Sequence, residues 1–337
     1  MKYILYLLLA FTLFVSCKKK ESTVTPPVSE IQSDWKRINS DYSMFLAANG
    51  NTVFGCDNVQ PVSFYESTDA AYTWMNKRAA LPANYVMSSM RLLDTDLFMS
   101  FNRVDSGAPY GVYRYQNGIW SNRNNGLNNQ VKGNYQLFHG QTKLLAKFSL
   151  PSGQSSDFYY SNDKGLSWKL LPNLYNYYCI AEGNANLFAG RVYYYGGGII
   201  KSGNEGLTWQ NASGNLPDSN NVNWLKVVNN KVFANVNVVK QNSNASGLYI
   251  SSDNGSSWTL YEIFRGKTVS DVVSYGTNVF VLADQIIYRS NDNGSTFTRM
   301  STAPAELVSM TICGSNVLVS NLSTYPPNSG IYAYEIK

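Results

Sequence analysis

The chain has 337 residues, 44% of them hydrophobic, 14% aromatic and 15% charged, and a formal net charge of +5. So much apolar content with so few charges excludes a disordered chain, and the length suffices for a sizeable buried core. Four lysines (Lys2, Lys18, Lys19, Lys20) and three acids (Glu21, Glu30, Asp34) precede Trp35, so the rest carries only +4; with no basic stripe of interleaved aromatics, nucleic acid is not expected as a partner.

Residues 1–17 differ in kind from the rest. Lys2 is followed by an almost wholly apolar run over 3–15, shorter than the roughly twenty residues a membrane span needs, so the segment reads as an export signal and not as part of the fold. Its ending, Leu13-Phe14-Val15-Ser16-Cys17, resembles the lipobox of bacterial lipoproteins, with Phe14 where most such signals carry Leu. The resemblance implies a lipid on Cys17, attachment to a membrane through it, and residence in the bacterial cell envelope as an outer-membrane lipoprotein, with the periplasmic and outer faces both open. An ordinary secretory signal cut nearby is the other reading. Residues 18–33, polar and carrying Pro26 and Pro27, are expected to form a flexible tether, leaving 34–337 as one domain.

From residue 67 onward an octapeptide, Ser-x-Asp-x-Gly-x-Ser/Thr-Trp, recurs: STDAAYTW at 67–74, SNDKGLSW at 161–168, SGNEGLTW at 202–209, SSDNGSSW at 251–258 and SNDNGSTF at 290–297. A worn copy, YRYQNGIW at 113–120, fills the gap between the first two, so that the closing aromatics stand at 74, 120, 168, 209, 258 and 297. The chemistry is that of a tight turn between strands. Asp69, Asp163, Asp253 and Asp292 can fold back onto backbone N–H groups, Gly165, Gly206, Gly255 and Gly294 can take positive φ, and Trp168, Trp209 and Trp258 re-enter a strand as bulky anchors.

On these residues the chain resembles the Asp-box, or BNR, repeat proteins: sialidases, the sortilin ectodomain, photosystem assembly factors and certain xyloglucan hydrolases. The resemblance implies that each box joins the third and fourth strands of a propeller blade at the periphery, a structural role.

A second repeat fixes the count. Hairpins such as MRLLDTDLF and LKVVNNKVF recur seven times, their second-strand apolar residues being Phe54, Phe98, Leu145, Phe188, Phe233, Phe280 and Leu318. Short strands at this period, four to a unit, predict an all-β, seven-bladed propeller of four-stranded antiparallel blades. Residues 330–337 match a third strand and then stop, while residues 34–38 match a fourth strand. The N-terminal strand is therefore expected to complete the last blade and close the ring.

With Cys17 assigned to the lipid, Cys56, Cys179 and Cys313 are an odd set and read as small buried hydrophobes. The single histidine, His139, lies in a hairpin turn without a ligand cluster; no metal and no cofactor is expected.

Aligned on the second-strand residue, the position eight before it is always apolar (Leu46, Met90, Leu137, Ile180, Leu225, Val272, Met310), whereas positions nine and seven before it vary. From that variable set Arg91, Trp224, Lys226 and Asp271 are the candidate ligand-facing residues, with Tyr175, Tyr177, Tyr178 and Tyr193, Tyr194 and Tyr195 as loop aromatics able to stack on a sugar or a peptide. The competing reading is that Arg91, Lys226 and Asp271 satisfy one another in a polar channel. A non-catalytic binding or scaffold module for a glycan or protein ligand is the expected function, and a glycoside hydrolase of sialidase-like type is the alternative. Against the alternative, Arg37-Ile38-Asn39 lacks the proline of the sialidase Arg-Ile-Pro segment and only Arg91 falls on an inner strand; Glu182, Asp271 and Asp284 are the carboxylates from which a hydrolytic pair would be drawn.

Overall fold

The computed structural model describes residues 34–40, 44–57, 62–77, 81, 85–103, 111–128, 133–150, 156–239, 243–300, 307–321 and 330–337. The expected signal, Cys17 and the 18–33 tether lie outside the described residues. Among those described, twenty-eight strands form seven four-stranded antiparallel sheets, the blades of a seven-bladed β-propeller. Six blades are continuous in sequence, covering 45–76, 85–122, 134–171, 177–211, 220–260 and 269–299. The seventh takes Leu307–Cys313, Asn316–Asn321 and Gly330–Glu335 from the C-terminal end and Lys36–Asn39 from the start, with Lys36 opposite Ala333 and Arg37 opposite Tyr332. The expected closure is thus the observed one, and it covers an otherwise bare sheet edge.

The core consists of seven apolar wedges, one at each junction between blades, because both faces of every sheet are buried. Three repeated positions fill each wedge. Phe98 on the second strand of blade 2 reaches forward to blade 3, where it meets Leu137, the always-apolar inner-strand residue, and Trp168, the closing aromatic of the octapeptide. The same trio recurs as Phe188, Leu225 and Trp258 between blades 4 and 5, and as Phe233, Val272 and Phe297 between blades 5 and 6. The Trp is therefore an anchor against the preceding blade, and in two copies its indole N–H is satisfied there: Trp168 Nε1 donates to Arg123 O at 2.7 Å and Trp258 Nε1 to Ala212 O at 2.9 Å.

The octapeptide turns repeat one hydrogen-bond set. Ser251 Oγ donates to Asp253 Oδ1 at 2.8 Å and accepts Gly255 N–H at 2.8 Å, while the carboxylate accepts Ser257 N–H at 2.8 Å and Ser257 Oγ–H at 2.6 Å. Ser67/Asp69, Ser161/Asp163 and Ser290/Asp292 reproduce it. In blade 4 Asn204 does the same with an amide, accepting Thr208 N–H at 2.9 Å and donating to Thr208 Oγ1 at 2.8 Å. Gly165, Gly206, Gly255 and Gly294 all have positive φ, as the turn demands. Cys56, Cys179 and Cys313 are free and buried.

Candidate functional site

The inner strand of each blade starts at one end of the ring, the entry end, and finishes in a hairpin turn at the other. In five blades it carries a bulge just before the variable position: the pairing register shifts between Met87 and Ser89, Tyr177 and Cys179, Val222 and Trp224, Val269 and Asp271, and Leu307 and Ser309. The bulge re-aims the next side chain toward the following blade. Ser89 Oγ accepts Leu137 N–H at 2.6 Å, Cys179 Sγ donates to Val222 O at 3.5 Å, Trp224 Nε1 donates to Val269 O at 2.9 Å, and Ser309 Oγ accepts Leu46 N–H at 2.9 Å. At these four blades the position varies in chemistry because several side chains can make the same inter-blade stitch.

Trp224 is accordingly a packing residue, held against the apolar wedge between blades 5 and 6 and tied to backbone there. Of the other three candidates, Lys226 and Asp271 come together. Lys226 Nζ of blade 5 donates to Asp271 Oδ1 of blade 6 at 2.9 Å, and Asp271 Oδ1 also accepts its own neighbour Val272 N–H at 2.7 Å. Arg91 of blade 2 donates from Nη1 to Met90 O at 2.7 Å; burial lowers its pKa and the Asp271 charge works the other way. His139 of blade 3 lines the same cavity as Lys226. Its pKa is pushed down to about 3, first by burial, then by the positive charges of Lys226 and Arg91, so the imidazole is neutral at physiological pH. Its Nδ1 is buried without a protein partner.

His139 escaped the sequence reading because only its hairpin turn was considered. Extending the alignment by one position would have placed it on the inner strands beside Ala48, Val227, Ser274 and Ile312, and all five line one cavity of about 430 Å³ together with Lys226. That cavity lies at the turn end of the inner strands, not at the entry end, as its lining by Gly140 and Asn229 makes plain.

The loop aromatics gather at the entry end of blade 4. Tyr175, Tyr178 and Tyr194 are 70%, 51% and 85% exposed. Tyr177 is buried, with the Arg191 guanidinium 4.3 Å above its ring and bonded to its hydroxyl, so it is not a free stacking platform. A second cavity, about 400 Å³, lies beside it between blades 4 and 5, lined by Arg191, Gly197, Ser213 and Asn220.

The carboxylates named for hydrolysis are separately engaged. Glu182 is buried and accepts Gln141 N–H at 2.6 Å, Thr142 N–H at 2.8 Å and Thr142 Oγ1–H at 2.9 Å, which fastens the blade 3 hairpin turn to blade 4. Asp284, in the turn after the second strand of blade 6, accepts Thr268 N–H at 2.9 Å and lies 3.5 Å from Lys267 Nζ. Among the described residues no three His, Cys, Asp or Glu side chains stand together as a metal cluster, and no helix is long and apolar enough to cross a membrane.

No protein-family model matches the chain, and no curated protein matches it. Solved structures do. A structure of YCF48 bound to D1 peptide superposes with a TM-score of 0.59 at 12% identity, covering 90% of this chain and 96% of that one. YCF48 from Cyanidioschyzon merolae gives 0.58 at 14%, covering 90% and 98%. The computationally designed Ika8 protein gives 0.53 at 10%, covering 87% and 96%. Likeness at such identity shows a shared propeller fold, and the presence of a designed protein among these neighbours illustrates that the fold alone carries no function.

Proposed function

We propose that the chain is an exported, lipid-anchored propeller acting as a non-catalytic binding or scaffold module, with a glycan or protein ligand taken at the central face. The observation that carries this reading is the ion pair of Lys226 and Asp271 between the inner strands of blades 5 and 6, with Lys226 lining a cavity of about 430 Å³, while Glu182 and Asp284 serve loops. Such an arrangement holds a ligand without a second carboxylate placed for proton transfer across a glycosidic bond. That a propeller of this fold has been seen with a bound peptide lends the protein-ligand arm support. Attachment through Cys17 and residence in the cell envelope rest on the lipobox-like sequence.

The test is a glycan and peptide array probed with the wild type and with Arg91→Ala, Lys226→Ala and Asp271→Ala. Loss of a ligand in these variants, with near-ultraviolet circular dichroism unchanged, supports the site; binding unaltered in all three removes it. Release of a reporter from aryl glycosides, sialosides included, would replace the reading with the hydrolase one. For the anchor, Cys17→Ser is expected to move the protein from the membrane to the soluble fraction.

A further inference from the structure

The loop between the second and third strands of blade 4 carries two bare aromatic rings and is nonetheless tied down. Tyr194 is 85% exposed and Tyr195 40%, with their rings edge to face at 4.9 Å. Hydrogen bonds fasten the loop to the start of blade 5 and to the segment leading into it: Tyr193 N–H donates to Asn221 Oδ1 at 2.6 Å, Gly198 N–H to Asn220 Oδ1 at 2.9 Å and Ile199 N–H to Ser213 Oγ at 2.9 Å. Arg191 Nη1 braces it further by donating to Tyr195 O at 3.0 Å. Gly197 and Gly198, both at positive φ, let the loop lie close: a Cβ on Gly197 would stand 2.6 Å from Asn220 O, and one on Gly198 2.6 Å from Ser213 Oγ. Aromatic rings held in water on a fastened loop offer contact area that costs little ordering entropy when a ligand arrives.

The cavity of about 400 Å³ between blades 4 and 5 adjoins this loop and falls within the roughly 300–1,000 Å³ of small-molecule sites. Tyr195 precedes Gly196, one lining residue, and its carbonyl holds Arg191, another. The lining's two charged residues, Arg191 and Asp218, are of opposite sign, so the cavity asks for no charged ligand. Its backbone donors over 196–199 are all spent, Gly196 on Tyr193 O, Gly197 on Val192 O, and the next two on Asn220 and Ser213, so that wall offers no free strand edge to a peptide. Side-chain groups remain: Asp218 and Ser219 line the cavity with Asn211, and among the described residues the Asp218 carboxylate has no protein partner. We infer that this groove, at the entry end of blades 4 and 5, binds a neutral oligosaccharide. One sugar ring stacks its C–H face on the Tyr194 and Tyr195 pair, and the hydroxyls of the next meet the Asp218 carboxylate, the Ser219 hydroxyl and the Asn211 amide. A sugar hydroxyl both donates and accepts, which matches an acceptor-only carboxylate beside an amide and a hydroxyl. The site is distinct from the cavity lined by Lys226 and does not depend on it.

The test is saturation-transfer difference NMR and titration calorimetry of the full chain with cellotetraose, maltotetraose, mannotetraose, xylotetraose and N-acetylchitotetraose, and with tetragalacturonate as the charged comparison. Saturable binding of at least one neutral member at millimolar or lower concentration is expected, with saturation strongest at ring C–H protons. Affinity should be about tenfold weaker in the double variant Tyr194→Ala, Tyr195→Ala and in Asp218→Ala. All three side chains are exposed, so the variants are expected to keep the wild-type circular dichroism; if the double variant fails to fold, Tyr194→Ala alone gives the same reading. No saturable binding across the neutral members, tighter binding of tetragalacturonate than of all of them, or wild-type affinity in either variant would each overturn the inference. Affinity that falls in Lys226→Ala and not in the tyrosine variant would put the sugar in the central cavity, removing this site and leaving the central one standing. A peptide held through Tyr194 while no sugar binds would give the groove to a peptide and overturn the inference as well.

Discussion

Ser309 Oγ accepts the backbone N–H of Leu46 at 2.9 Å although the two residues lie 263 positions apart, and this bond stitches the last blade to the first. It is one instance of a device that recurs around the ring, in which a bulged inner strand turns a side chain onto the inner strand of the next blade. Sheet-on-sheet packing alone lets neighbouring blades slide. A directional bond from a fixed position in four of the blades pins the angle to the next, and in Ser89, Cys179, Trp224 and Ser309 the same step is made by four side chains of three chemical kinds.

Removing such a stitch should therefore cost more than a surface hydroxyl. Ser89 is buried, and its Oγ shares a 2.6 Å hydrogen bond with Ser100 while accepting Leu137 N–H. Ser89→Ala leaves two buried polar groups without their partner and is expected to destabilise the fold by about 1–3 kcal/mol. Ser309→Ala, at a less buried site, is expected to cost less. Urea unfolding of both variants checks the order; equal and negligible losses would show that packing sets the blade angle unaided.

The octapeptide carboxylates should make the protein acid-sensitive in a defined window. Hydrogen bonds from Thr73 hold Asp69 down to about 2, and those from Ser257 hold Asp253 down to about 2; at Asp163 burial opposes the shift, and the bonds from Ser167 and Ser161 prevail. A folded-state pKa below the unfolded value of about 4 contributes stability that is complete above pH 4 and lost as pH falls through 2. The melting temperature is expected to drop steeply over that interval. Asn204 shows that an amide can hold the same turn, so Asp253→Asn should fold, and its deficit relative to wild type should shrink between pH 4 and pH 2. A constant deficit across the interval would mean that these carboxylates do not set the acid limit.

The blade count, the closure and the role of the octapeptide were legible in the sequence because each is a periodic signal, and periodic burial leaves a periodic pattern. Even Trp35 could be read, since it stands in phase with Trp74 at the opposite end of its blade's sequence. The site was only half legible. Arg91, Lys226 and Asp271 were visible as polar residues of the variable set, yet nothing in the chain order says that blades 5 and 6 pair Lys226 with Asp271 or that Lys226 shares a cavity with His139 of blade 3. The bulges were not legible at all. An extra residue in a strand looks like any other residue, and so Trp224 passed for a ligand-facing residue when the bulge turns it onto Val269.

Two glycines with nearly equal φ separate backbone strain from crowding. Gly118, in the worn octapeptide, has φ of +81° and nothing within 4 Å of a Cβ built on it. Gly255 has φ of +83°, but its Cβ would stand 2.9 Å from both Cβ and O of Ala212 in the preceding blade. Gly118→Ala is expected to cost only the left-handed strain, about 1–2 kcal/mol. Gly255→Ala should lose more, because blades 4 and 5 must part to admit the methyl group. Guanidinium unfolding midpoints of the pair decide this, and equal losses would mean that the junction yields freely.

The N-terminal strand gives the last prediction. Trp35 is buried in the wedge between blades 6 and 7, with Phe280, Ile287 and Val317 in the same cluster and its ring 5.4 Å from that of Tyr334. Replacing it by Ala is expected to cost about 3–5 kcal/mol, the range for emptying a large aromatic site. Deleting residues 1–33 spares this contact and should leave the melting temperature unchanged. Deleting residues 1–40 also removes Lys36–Asn39 and bares Gly330–Glu335, an edge strand able to pair with another copy. The longer deletion should therefore lower the melting temperature and also make the protein associate as its concentration rises, by light scattering. If it stays monomeric at high concentration and melts with the shorter one, then the closing strand is dispensable and the ring is held by the inter-blade wedges alone.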